Sequence, residues 1–464
     1  MDPRRRPDIG GRLAAMLARS LNRPGLGRLR VRHRPKVLIG PADKAEVPAP
    51  ATLAAVDSRD RAYIARQPIL DVNGRVFGYE LLYRASSGAA HCEELHGRAA
   101  ARVLNDALIT IGLETLANNS RAFINFTEEM LVTELATLLP PAKVVVEVLE
   151  GEEIGVDAVA ASKQLKERGY ILALDDFTPG TSADALLPYV SFVKVDVLST
   201  SPEEREEIRR IVPANVTLLA EKVESADVFE DMRTRGYQLF QGYYFCRPVT
   251  LSGEALSTRH LAYTRLLAAL NSPHVSVASV EDLVKHDAAL SYRVLRCVNS
   301  AGFGVRREIT SIRQALVMMG LDRIRKWASV WAMAGLSQGS NPELVTTAVL
   351  RARSCEMLGS DVSGGGDASE FFLLGLCSLI DVMLGRPMHQ VIAELPLSDA
   401  VRTALTSGQN VERAVLDAVV AYERGDWTDA SRLGSLAGLA PDRLPSAYSD
   451  ALQWAREIST VVAA

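Results

Sequence analysis

The chain has 464 residues, of which 48% are hydrophobic and 23% charged, the balance of an ordinary soluble globular protein long enough for two or three domains. Its five cysteines are widely spaced with no CxxC pair, which excludes a disulfide framework or a zinc knuckle and fits a reducing cytoplasm, the expected location. No apolar run approaches the roughly 18 residues a membrane span needs, and the basic start MDPRRRPDIGGRLAAMLARSL lacks the apolar stretch of a secretion signal.

The net charge of -4 conceals a basic head on an acidic body, since residues 1–50 hold 12 Lys/Arg against 4 Asp/Glu. Residues 1–58 scatter RRRP, NRPG, RHRP and VPAPA where a packed core needs apolar periodicity, so they read as a basic disordered leader. Within it IGGRLAAMLARSL has the pattern of one short amphipathic helix, for which weak membrane-surface or partner contact is the other reading.

Over residues 59–255 strand-like and helix-like segments alternate. The strand-like runs are YIARQPIL, VFGYELLYR, AFINF, KVVVEVL, YILALDDF, FVKVDVL, VTLLAEKV and YQLFQGYYF. Between most of them lie helical patterns such as VDAVAASKQLKERG, EEREEIRRIV and ADVFEDMRTRG, several ending in glycine. Strand after helix after strand predicts a parallel sheet, and about eight strands predict a closed (β/α)8 barrel. The turn DVNG joining the first two runs predicts an antiparallel hairpin.

The polar residues of this region fall at or near the C-terminal ends of the runs: Glu80, Asn125, Glu147, Asp175 with Asp176, Lys194, Glu221 and Gln241. In a (β/α) barrel those ends meet on one rim, where sites are built. Adjacent carboxylates such as Asp175 and Asp176 repel unless a cation or a proton separates them. Oxygen donors gathered on one mouth suit hard divalent cations, and two ions sharing a carboxylate would activate a water for phosphoester cleavage.

ARQPILD, E-x-L-x-R in YELLYR, INFT, E-x-x-E in EVLE, LDDF, VKVD, AEKVE and QGYYF follow one another in an order and spacing that resembles the EAL family of cyclic di-GMP phosphodiesterases. The resemblance implies an EAL-type barrel with Glu80, Asn125, Glu147, Asp175 and Asp176 as ligands of two Mg²⁺ or Mn²⁺ ions. It implies catalytic roles for Glu221, as base or ligand, and for Lys194, steadying the water or phosphate. Gln67, Arg84 and Gln241 would serve the dinucleotide and its water network, and Glu150, Asp196 and Glu224 would support the loops. Three departures stand out: Leu81 where the family has a small alanine, the loop TPGTSADA after the aspartate pair, and Lys222 where it has glycine. They leave two readings, a cyclic-guanylate phosphodiesterase producing pGpG or a binding-only effector or scaffold.

Over residues 256–464 strand signals nearly vanish, and LAYTRLLAALN, ALSYRVLRCVNSAGF, SIRQALVMMGLDRIRKWASVWAMAGL, FFLLGLCSLIDVML and NVERAVLDAVVAYERG carry apolar residues at helical spacing. The strings DAALSYRVLRCVNSAGFG and ITSIRQALVMMGLDRIRKW resemble the HDOD branch of the HD superfamily. That branch lacks the metal dyad, with Ser378–Leu379 in its place, while Asp287 beside His286 reads as a helix cap. His274 and His389 read as surface or loop residues, and Trp327 with Trp331 as core. The resemblance implies a regulatory module for an unknown protein partner, and no nucleic-acid reader fold accompanies the basic leader.

Overall fold

A computed structural model of the chain describes residues 62–85, 111–149, 154–246, 276–285, 288–299, 309–336, 341–363, 368–393, 395, 397–406 and 408–462. The expectations for the leader, for Glu150, for His274 and for the His286–Asp287 cap lie outside these residues.

The eight predicted strands all form, and they close into a barrel in sequence order. β1 (Ala62–Asp71) and β2 (Val76–Ala85) make the antiparallel hairpin, its turn held by Asp71 Oδ1, which accepts the N–H groups of Asn73 and Arg75 at 2.8 Å. β3 (Arg121–Phe126), β4 (Val144–Val148), β5 (Ile171–Leu174), β6 (Phe192–Asp196), β7 (Thr217–Glu221) and β8 (Leu239–Phe240) continue the sheet in parallel from β2. Of the predicted helices, three lie at α1 (Val156–Glu167), α2 (Pro202–Ile211) and α3 (Ala226–Thr234), while the one expected over CEELHGRAAARVLNDALITIG lies almost wholly outside the described residues. Ser201 and Glu204 form a capping box that starts α2 beside Pro202, so the sequence fixes that helix end locally.

Two strands stop earlier than their apolar runs. β5 ends at Leu174, because Asp176 takes a left-handed backbone (φ 44°) that no ladder accommodates. β8 is two residues long and pairs with β1 only at Leu70 and Asp71. Beyond it Gly242 packs so closely on Val223 that a Cβ there would lie 2.3 Å from the Val223 carbonyl oxygen, a place only glycine can fill.

Side chains alternate along a strand, so the barrel interior is built in layers. One layer is apolar: Ile69, Phe123, Val145, Ala173, Phe192, Leu219 and Leu239. Two residues further toward the mouth stand Gln67, Asn125, Glu147, Lys194 and Glu221 on their strands, with Asp175 and Gln241 one residue past the ends of β5 and β8.

The helical half is all-α among the described residues. It contains α4 (Ile312–Met319), α5 (Leu321–Leu336), α6 (Pro342–Val362), α7 (Ser369–Cys377), α8 (Ile380–Leu384), α9 (Val411–Glu423), α10 (Trp427–Leu436) and α11 (Arg443–Val462), with other helices between and before them. The long predicted run from Ser311 breaks at Gly320 (φ 75°) into α4 and α5. Trp331 is fully buried and packs on half-buried Trp327, while His389 is exposed. Between α7 and α8 the Ser378 hydroxyl meets Arg351 Nη1 at 3.3 Å, and Arg351 pairs with Glu423 at 2.8 Å, so a buried ion pair fills the neighbourhood of Ser378–Leu379.

This half packs directly on β1. The short β8 leaves the β1 edge near Ile64 without a strand partner, and the Tyr422 hydroxyl satisfies it by accepting from the Ile64 N–H and donating to the Ile64 carbonyl, both at 3.2 Å. Tyr63 packs its ring against Tyr422 and Trp427. Deeper in the contact Tyr79 donates to buried Glu343 at 2.7 Å, with Arg66 stacked 4.3 Å from the Tyr79 ring centroid. Burial raises the carboxyl of Glu343, with the Arg66 charge opposing.

Candidate metal centre at the barrel mouth

The polar layer converges on Lys194. Its ammonium is fully buried and lies 2.8 Å from Asp175 Oδ1, 2.9 Å from Glu147 Oε1, 2.9 Å from Glu221 Oε1 and 3.4 Å from Glu80 Oε2. Strands β2, β4, β5 and β7 each supply one of those carboxylates and β6 supplies the cation, an arrangement that only a closed barrel produces. Burial opposes the Lys194 charge, but the carboxylates, Asp175 foremost, outweigh it and hold the amine protonated. One cation does not balance four carboxylates. Burial accordingly pushes Glu147 and Glu221 well above the usual carboxylate range, with Lys194 pulling them back.

Hydrogen bonds fix the rest of the layer. Asn125 Nδ2 donates to Glu80 Oε1 at 3.3 Å, and Gln241 Nε2 donates to Glu80 Oε2 at 2.7 Å and to Gln67 Oε1 at 2.8 Å. Gln67, expected at the dinucleotide, donates its own amide to the backbone carbonyl of Arg424 at 2.9 Å. Arg84 sits opposite Tyr63 in the β1–β2 ladder, and the described atoms go no further for it.

At the rim, Asp176 keeps much of its surface open to water, yet the protein crowding its carboxyl, and after it the neighbouring Asp175, raise that carboxyl. Carboxylate oxygens of Asp175, Asp176 and Glu221 come within 4.8 Å of one another, close enough to share one cation. Lys222 takes a left-handed backbone (φ 54°), which explains why the family favours glycine there, and its ammonium reaches Asp196 Oδ2 at 2.6 Å. Burial of Asp196 works the other way, yet that bond and the N–H groups of Leu198 and Ser199 hold its carboxyl below the usual range. Glu224 is exposed just beyond β7. The TPGTSADA loop is pinned by its own side chains, Asp184 Oδ2 accepting from the Gly180 N–H at 3.2 Å and Thr181 donating to the Thr178 carbonyl at 3.0 Å. Leu81 faces away from the mouth into the core, so that departure leaves the polar layer untouched.

The donor set fits divalent metal. All its candidate ligands are oxygens, and Glu147 Oε2 and Asn125 Oδ1 are buried with no hydrogen-bond partner among the described residues, an expensive condition that a cation relieves.

Residues 52–248 match the EAL domain family and residues 256–417 the HDOD domain family. The chain belongs to the family of proteins that join an EAL domain to an HDOD domain. It is 33% identical to the uncharacterized protein YuxH of Bacillus subtilis over 86% of this chain and 99% of that one. It is 32% identical to the cyclic di-GMP phosphodiesterase CdgJ of Vibrio cholerae over 88% of this chain and 95% of that one. Among solved structures it is similar to the cyclic di-GMP-bound form of a standalone versatile EAL protein from Vibrio cholerae, with 23% identity, a TM-score of 0.33, and coverage of 42% of this chain and 93% of that one.

Sequence reasoning placed the polar residues on one mouth and missed two things about them. It gave Lys194 a role beside the metals and did not foresee that the ammonium is also the common partner of four carboxylates. It also missed Tyr422 and Arg424, whose contacts with β1 span more than 350 residues of chain and leave no local pattern.

Proposed function

We propose that the chain is a cyclic di-GMP signalling protein whose barrel mouth binds the dinucleotide and hydrolyses one of its phosphodiesters to linear pGpG, with the HDOD half as a regulatory module. The observation that carries this reading is the ring of Glu80, Glu147, Asp175 and Glu221 about one point, with Asn125 hydrogen-bonded to Glu80. CdgJ, similar over nearly its whole length, supports the substrate.

Glu80, Asn125, Glu147 and Asp175 would hold one Mg²⁺ or Mn²⁺, and Asp175, Asp176 and Glu221 a second. Bound metal would supply positive charge that makes a water nucleophilic near neutral pH and offsets charge on the phosphate. Glu221 takes the proton of the attacking water or orients it, and Lys194 holds the carboxylates in register and offers its N–H groups to the reacting oxygens. Gln241 fixes Glu80 from behind. Water adds to phosphorus as the bond to the ribose 3′ oxygen breaks, and that oxygen leaves as a hydroxyl on taking a proton from solvent, to which Glu221 returns the one it took. Asp196, Glu150 and Glu224 support the loops around the site.

The test uses the full chain with Mn²⁺ and follows cyclic di-GMP by calorimetry and product chromatography. The expected result is pGpG that disappears with Glu80→Ala. A second reading, binding without turnover, is favoured by Lys222, whose ammonium occupies the rim beside Asp176 and Glu221. Binding with no pGpG decides for it, and neither binding nor product refutes both.

A further inference from the structure

Arg424 stands where the chemistry above gives it no task. α9 ends at Glu423, and the chain turns through Arg424 and Gly425 into α10. That turn lies on the barrel mouth. The Arg424 carbonyl accepts the Gln67 amide at 2.9 Å, while its guanidinium carbon rests 4.1 Å from the ring centroid of Tyr243, just beyond β8. Gly425 has φ 72°, and a Cβ on it would lie 2.6 Å from Leu82 Cδ1, so the turn presses on the residue two beyond Glu80, on the same face of β2. Gln67 accepts from Gln241, and Gln241 donates to Glu80. Three hydrogen bonds therefore lead from Arg424 to the carboxylate ring.

The Arg424 side chain is exposed; its charge acts on neighbouring Glu423, whose ion pair is with Arg351. A guanidinium held over an aromatic ring through its carbon can still use its N–H groups, and a guanidinium takes phosphate oxygens in pairs. An anionic ligand approaching a mouth lined with carboxylates also needs a cation near the rim, because like charges repel strongly where water is scarce.

We propose that Arg424, a residue of the helical half just beyond the HDOD match, is a ligand-binding residue of the barrel site and takes a phosphate of the cyclic dinucleotide, so that the two halves build one mouth. This rests on the reading that the mouth binds cyclic di-GMP. It makes the contact between the halves a part of the site, and ligand binding then stabilises their packing.

The experiment titrates cyclic di-GMP into the full chain by calorimetry, with Mn²⁺ and separately with a chelator, for the wild type, Arg424→Ala and Arg424→Lys. Arg424→Ala keeps the carbonyl that Gln67 uses and removes only the guanidinium. It is expected to weaken binding about tenfold or more, the size of a lost charge-assisted hydrogen bond, with Arg424→Lys recovering part of the loss and the melting temperature unchanged. Binding by Arg424→Ala within twofold of a wild type that does bind overturns the inference alone. Tighter binding also overturns it, and makes the turn a cover over the mouth. A wild type that fails to bind under both conditions refutes the cyclic di-GMP reading, and the Arg424 inference falls with it.

Discussion

Lys194 shows how much one side chain settles at this site. Without its ammonium, Glu80, Glu147, Asp175 and Glu221 would face one another across a few ångströms with no counter-ion. Removing one partner of a buried charge cluster is among the most destabilising substitutions known, about 3–5 kcal/mol. Lys194→Met is therefore expected to lower the melting temperature in chelator by at least about 5 °C. Because a metal ion replaces the missing charge, Mn²⁺ should restore more stability to Lys194→Met than it adds to the wild type; equal gains would show that metal and ammonium do not serve the same carboxylates. Lys222 is the opposite case, an exposed cation held on strained backbone at about 1 kcal/mol by its bond to Asp196. Lys222→Gly removes both the strain and a positive charge near Asp176 and Glu221. Its Mn²⁺ affinity, read by calorimetry, is expected to rise about threefold or more. The residues of the ring were legible in the sequence because period-two alternation puts every polar strand residue on a known face. That Lys194 is their common partner was not legible, since it depends on barrel closure bringing β6 opposite β2.

Among the elements, β8 and the turn between α9 and α10 decide how the molecule is joined. The apolar runs announced eight strands, and all eight form. The brevity of β8 had no such signature, because YQLFQGYYF looks like a full strand and is cut short only by the close approach of Gly242 to Val223. The consequence is an open β1 edge that Tyr422 fills with a single hydroxyl. Tyr422→Phe keeps the ring packing on Tyr63 and Trp427 but leaves the Ile64 N–H and carbonyl unsatisfied, which costs about 1–3 kcal/mol. Hydrogen exchange at the Ile64 amide should quicken in that variant, while protection in α4, which packs on neither β1 nor α9 among the described residues, stays as in the wild type. Uniform loss of protection would mean that the hydroxyl holds the whole fold. In the helical half, apolar spacing located the helices but not the breaks at Gly320 and Ser378, where single residues end a pattern that otherwise continues.

At the scale of the whole molecule, the two halves share polar contacts besides that of Tyr422, one of them buried and the others partly buried or exposed. Tyr79 with Glu343, Gln67 with Arg424, Tyr63 with the Pro441 carbonyl and Arg456 with Thr115 all cross between them. Those contacts were invisible in the sequence, which separates their partners by hundreds of residues. A barrel produced alone as residues 59–255 would expose Tyr63, Tyr79 and the unpaired β1 edge, a ready surface for self-association. Size-exclusion chromatography should find that fragment associated or aggregated, and a monodisperse fragment melting like the full chain would argue that the contacts carry little weight.

The apolar floor of Ile69, Phe123, Val145, Ala173, Phe192, Leu219 and Leu239 closes the barrel beneath the acidic ring. Among the described residues, ions and water reach the ring from the mouth, the side where Arg424 is seated. Any slackening of the helical half would show itself first as faster metal exchange, before a single ligand atom had moved.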